Sequence, residues 1–115
     1  MKISFAILLI FAAMSSPAFA IDVPVYPGAK SNEMLTKADR ENQPGSFAYT
    51  TSDSFESVYD FYKKIGNENP HMKTNTPDYK AAAFTFPGKK FQVAIYWQKE
   101  QGKLGTMVHL INMAE

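Results

Sequence analysis

The chain has no cysteine among its 115 residues. That removes disulfides, thiol catalysis and thiolate metal sites together. It also removes the acylation site of a bacterial lipoprotein, so no stable membrane anchor is expected once a leader has been cleaved. Histidine is nearly as scarce, with two residues, His71 and His109. An excess of charge is missing too. The chain carries 12 Lys and Arg against 11 Asp and Glu, and Lys2 belongs to the leader, so the remainder is balanced. A nucleic-acid binder needs a basic stripe to displace counterions from phosphates. The doublets Lys63-Lys64 and Lys89-Lys90 read instead as a helix end and a turn, and no nucleic-acid partner is expected.

Also lacking is an apolar run of the roughly 20 residues that span a bilayer. The longest covers residues 3–14, interrupted by Ser4. Lys2 precedes it, Ser15-Ser16-Pro17 breaks any helix after it, and Ala18-Phe19-Ala20 fits the small-x-small cleavage rule. Residues 1–20 therefore read as a cleaved signal peptide and residues 21–115 as a single exported domain, periplasmic or secreted. Without disulfides that domain must rely on its core. Aromatics are plentiful there, with all six tyrosines, Trp97 and most of the nine phenylalanines.

Three Pro-Gly dipeptides, Pro27-Gly28, Pro44-Gly45 and Pro87-Gly88, suit turns in which glycine takes positive φ. The stretch VPVYPGAK, residues 23–30, is read this way, as a turn into a first strand. Residues 53–66 carry the clearest helical pattern. Asp53 and Glu56 stand at capping-box spacing, and Phe55, Val58, Tyr59, Phe61, Tyr62 and Ile65 form one apolar face. Lys63 and Lys64 suit the carboxyl end of the helix dipole, and Gly66 suits a left-handed closing residue.

Residues 80–97 read as a hairpin that pairs Phe84 with Val93, Ala82 with Ile95 and Lys80 with Trp97. This register gathers Phe84, Phe86, Phe91, Val93, Ile95 and Trp97 on one face, where the helix should pack. Residues 106–113 form a last strand, residues 47–51 a strand before the helix, and residues 29–35 a weaker first strand. Residues 36–46 and 67–78 read as polar loops. The expectation is an α+β domain of order β-β-α-β-β-β, one amphipathic helix on one face of an antiparallel sheet.

The Pro24 to Ala29 opening and the run from Thr51 to Tyr62 resemble a group of small exported bacterial proteins of unknown function. That group pairs a Pro-x-Tyr-Pro-Gly-Ala opening with a Thr-x-Asp-Ser-x-x-x-Val-x-x-Phe-Tyr helix. The resemblance implies an exported α+β domain and assigns no catalytic or binding residue.

No Gly-x-Ser-x-Gly elbow, His-Glu-x-x-His pair, phosphate-cradling glycine loop or calcium loop occurs. Neither histidine has a carboxylate close in sequence to orient it. A non-enzymatic domain without a cofactor is expected. His71-Met72 with Met107, His109 and Met113 could offer imidazole and thioether groups to a soft ion such as Cu(I). Same-face residues on a strand stand about 7 Å apart, however, and methionine commonly fills core gaps; copper binding is the weakest reading.

Antiparallel sheets often leave their second face uncovered. If Val108 and Leu110 face the helix, the far face collects Ala83, Ala94, Tyr96, Met107, His109, Ile111 and Met113. An apolar patch of that kind marks an interaction surface, for an unknown protein partner or a homodimer. The alternative is a module that binds a small apolar ligand between helix and sheet, lined by Phe55, Tyr59, Tyr62 and Trp97.

Overall fold

A computed structural model describes residues 21–113; the expected leader lies outside them. Seven strands form one antiparallel sheet: β1 (Lys30–Ser31), β2 (Phe47–Thr51), β3 (Asn67–Glu68), β4 (Thr74–Asn75), β5 (Tyr79–Thr85), β6 (Phe91–Gln98) and β7 (Thr106–Asn112). Two α-helices, α1 (Glu33–Asn42) and α2 (Phe55–Lys63), and two 3-10 segments, Pro70–Met72 and Lys99–Leu104, connect them. The strands run β1-β2-β7-β6-β5-β3 across the sheet, and β4 also pairs with β5. The α+β class and the helix packed on an antiparallel sheet follow the sequence pattern. The elements it did not foresee are α1, β3 and β4.

The β5–β6 register is the one that the apolar alternation demands, with Phe84 opposite Val93, Ala82 opposite Ile95 and Lys80 opposite Trp97. Strand β7 runs between β2 and β6. Its Val108 and Leu110 are fully buried in the cluster that contains Val58 and Tyr62 of α2. A shift of one residue would turn that whole set toward the other face.

Helix α2 buries Phe55, Val58 and Tyr62, the i, i+3, i+7 stripe of an amphipathic helix. Two local details differ from expectation. The N-cap is Ser54, whose Oγ accepts the Ser57 N–H at 3.1 Å, and Asp53 instead accepts a hydrogen bond from the Tyr26 hydroxyl at 2.6 Å. Gly66 does not take a positive φ. It is small for another reason, since a Cβ there would meet the Phe86 ring at 2.8 Å.

The residues before β1 form a strap across the same face. Val23 is buried and Ile21, Val25 and Tyr26 pack against the core. Asp22 accepts the N–H groups of Lys90 and Phe91, at 2.7 and 3.3 Å. The Tyr62 hydroxyl, inside the core, donates to the Pro24 carbonyl at 2.8 Å. Tyr26 meets Phe61 edge to face at 5.4 Å. The chain then turns at Pro27-Gly28, where the Ala29 N–H bonds the Tyr26 carbonyl and Gly28 has φ +85. VPVYPGAK is thus a turn, as expected, and its first half is also part of the core.

Candidate functional site

The far face of the sheet is less open than the sequence suggests. Residues 36–46 are not a polar loop: α1 occupies most of that stretch, and the expected first strand shrinks to Lys30–Ser31. Asn32 caps α1 by accepting the Leu35 N–H at 3.0 Å, and Glu33 complements the dipole in the first turn. Asn32, Thr36, Asp39 and Arg40 hold the helix to the sheet beyond the short β1, Arg40 by donating to the Ser46 carbonyl at 2.7 Å and lying 4.7 Å from the Phe47 ring centre. The Asn32 N–H donates to the Ala48 carbonyl at 2.9 Å. Thr36 Oγ1 accepts the Ala48 N–H at 2.9 Å and donates back to its carbonyl at 3.3 Å. Asp39 Oδ2 lies 2.6 Å from His109 Nδ1.

That last pair supplies the orienting carboxylate that His109 lacks locally. It comes from 70 residues away in sequence, so no local motif could have announced it. Both side chains are mostly buried, 12% and 18% exposed. The His109 ring also meets Tyr96 edge-on at 5.2 Å, and Tyr96 leans on Tyr79 at 6.4 Å. A row of Asp39, His109, Tyr96 and Tyr79 therefore crosses the far face diagonally from α1 to β5. Burial raises the Tyr96 phenol above its ordinary value, with smaller contributions from Tyr79 and Asp39, so Tyr96 stays a neutral donor through the physiological range.

The residues expected to form an interaction face divide into two groups. Ala83, Ala94 and Met107 are buried. They sit low among the rings of Tyr96 and His109 and cannot meet a partner directly. Tyr96, His109 and Ile111 are half-buried and Met113 is 53% exposed. Tyr79 is half-buried and belongs to the same group. At the β5 edge residues 69–73 bulge between β3 and β4. There His71, Met72, Thr74, Tyr79 and Tyr96 border a shallow cavity of about 230 Å³, and Met72 is 42% exposed. The accessible far face is a strip between α1 and this bulge.

The four residues considered for an apolar ligand pocket do not surround one cavity. Tyr62 is fully buried, with ring contacts to Phe61, Phe84 and Phe86. Tyr59 stacks on Phe55 at 6.2 Å, and its hydroxyl donates to Glu68 Oε1 at 2.6 Å. Lys73 donates in turn to that hydroxyl at 3.1 Å, a clasp between α2 and the bulge. Phe55 and Trp97 alone share a cavity, about 320 Å³, with Lys80 and Glu56 at its edge. The Lys80 ammonium lies 2.6 Å from Glu56 Oε2 and 5.6 Å from the Trp97 ring centroid. Its hydrogen bond holds the Glu56 carboxyl below the usual range.

Among the described residues no cluster of three or more His, Asp or Glu side chains is arranged to hold a metal. Met107 is buried and His109 is engaged by Asp39, so the soft-ligand set of His71, Met72, Met107, His109 and Met113 does not converge. No protein-family model, curated protein or solved structure matches this chain.

Proposed function

We propose that the protein is an exported, non-enzymatic interaction domain that binds through the far-face strip of Tyr79, Tyr96 and Ile111, bordered by Met72 and Met113. The occupant is a protein, in the first instance a second copy of the chain. The observation that carries this reading is how the sheet is closed everywhere else. Strap and α2 cover one face. The edges end in the two-residue strands β1, β3 and β4, flanked by α1 and by the bulge. Edges so blunted resist pairing with another strand, which leaves side-chain docking on the strip as the route to a partner.

Light scattering after size exclusion, at rising concentrations of residues 21–115, tests this. Association that Ile111→Glu abolishes is the expected result. Ile65→Glu, at an apolar residue 45% exposed beyond α2, should leave it unchanged. Association broken by Ile65→Glu and spared by Ile111→Glu would overturn the reading. Met107→Lys is unsuitable because it would bury a charge. Export is tested separately by mass spectrometry of the processed protein, whose first residue should be Ile21.

A further inference from the structure

Three turns converge at one end of the sheet. The Pro27-Gly28 turn, the end of β2 with Ser52, and the segment Gly102 to Gly105 enclose a cavity of about 400 Å³. Its lining includes Lys30, Lys103 and the hydroxyl-bearing residues Thr50, Thr51 and Ser52, with no carboxylate among the residues that form it. Among the described residues neither lysine is in an ion pair. The nearby acids are occupied, Asp53 by the Tyr26 hydroxyl and Glu56 by Lys80. In a chain of nearly balanced charge, the polar residues that form this pocket are basic or hydroxyl-bearing; the Asp53 carboxylate lies next to it, in the adjoining cavity.

The glycines of the lining separate structural need from open space. Gly105 is obligatory: its φ is +72, and a Cβ would collide with the Thr51 carbonyl. Gly102 is not. Its φ lies outside the left-handed range, and a Cβ there would meet nothing within 4 Å. Neither backbone nor packing requires glycine at that position, which lines the cavity.

We propose that this cavity binds a small oxyanion, phosphate or a phosphate monoester, held by Lys30 and Lys103 and by hydroxyl donors of the lining such as Thr50, which pairs with Lys30. Charge-assisted hydrogen bonds from lysine to phosphate oxygens are the strong members of their class, and the hydroxyl residues of the lining supply further donors. The site shares no residue with the far-face strip.

The test is an amide-resolved NMR titration of residues 21–115, whose described part contains the whole core, with inorganic phosphate replacing chloride at constant ionic strength. Saturable shifts are expected at Gly28, Ser52, Gly102 and Gly105. Lys30→Ala and Lys103→Ala should each weaken binding about tenfold. Gly102→Val should abolish it while leaving the urea midpoint unchanged. Linear, unsaturated shifts would overturn the proposal, as would saturable shifts that survive the double lysine variant. So would lysine-dependent co-sedimentation with phosphatidylglycerol vesicles in the absence of any saturable response to phosphate, which would assign the lysines to a membrane surface instead.

Discussion

Tyr62 joins three levels of the structure in one side chain. Its ring packs on Phe84 in the core, and its hydroxyl donates to the Pro24 carbonyl of the strap. Tyr62→Phe keeps the ring and removes that hydrogen bond, so a loss of about 1 kcal/mol in urea denaturation is expected, with the slope unchanged. The same residue sets the alkaline limit. Burial raises its phenol well above the ordinary 10.0, and burial raises Tyr49 and Tyr96 as well. Above pH 10 the unfolded chain loses these protons first, so it binds fewer protons than the folded chain and stability falls as pH rises. Each such group contributes about 1.4 kcal/mol per pH unit until its folded value is reached. Urea midpoints between pH 9 and 11 should drop steeply in the wild type and less steeply in Tyr62→Phe.

At the level of elements, α1 depends on contacts rather than on burial. None of its residues is buried, so its attachment rests on Thr36, Asp39, Arg40 and the Asn32 cap. Asp39→Ala should cost about 1–2 kcal/mol, because it leaves His109 mostly buried without its partner. It should also raise hydrogen exchange across residues 33–42 while leaving α2 protected; equal exchange in wild type and variant would refute the tether. The same lack of apolar residues explains why α1 was not legible in the sequence. Glu33, Lys37, Asp39, Arg40 and Glu41 give no hydrophobic stripe, whereas α2 declares itself through Phe55, Val58 and Tyr62. The hairpin register was legible because Phe84, Val93 and Ile95 all fall on one face in only one alignment. Of the far-face strip, the alternation of β7 was readable and its cover was not. The helix that reaches His109 is a distant polar segment, and only the fold brings Asp39 to it.

For the molecule as a whole, the strap is a condition of stability. Deleting residues 21–25 removes Val23 from the core, the Asp22 acceptor at the β6 entrance and the Pro24 acceptor for Tyr62. Burial of one valine side chain is worth about 1.5–3 kcal/mol, and each lost hydrogen bond about 1 kcal/mol more. A loss above about 3 kcal/mol is therefore expected; a truncated chain with an unaltered urea midpoint would show the strap to be dispensable. The strap also fixes an order in time. Asp22 waits for Lys90 and Phe91, 68 and 69 residues later, and β2 waits for β7 as its neighbour. The strap thus finds its partners far along the chain. Contacts of such long sequence separation slow folding, so the strap cannot dock, nor β2 gain its neighbour, until residues 90–112 have been made.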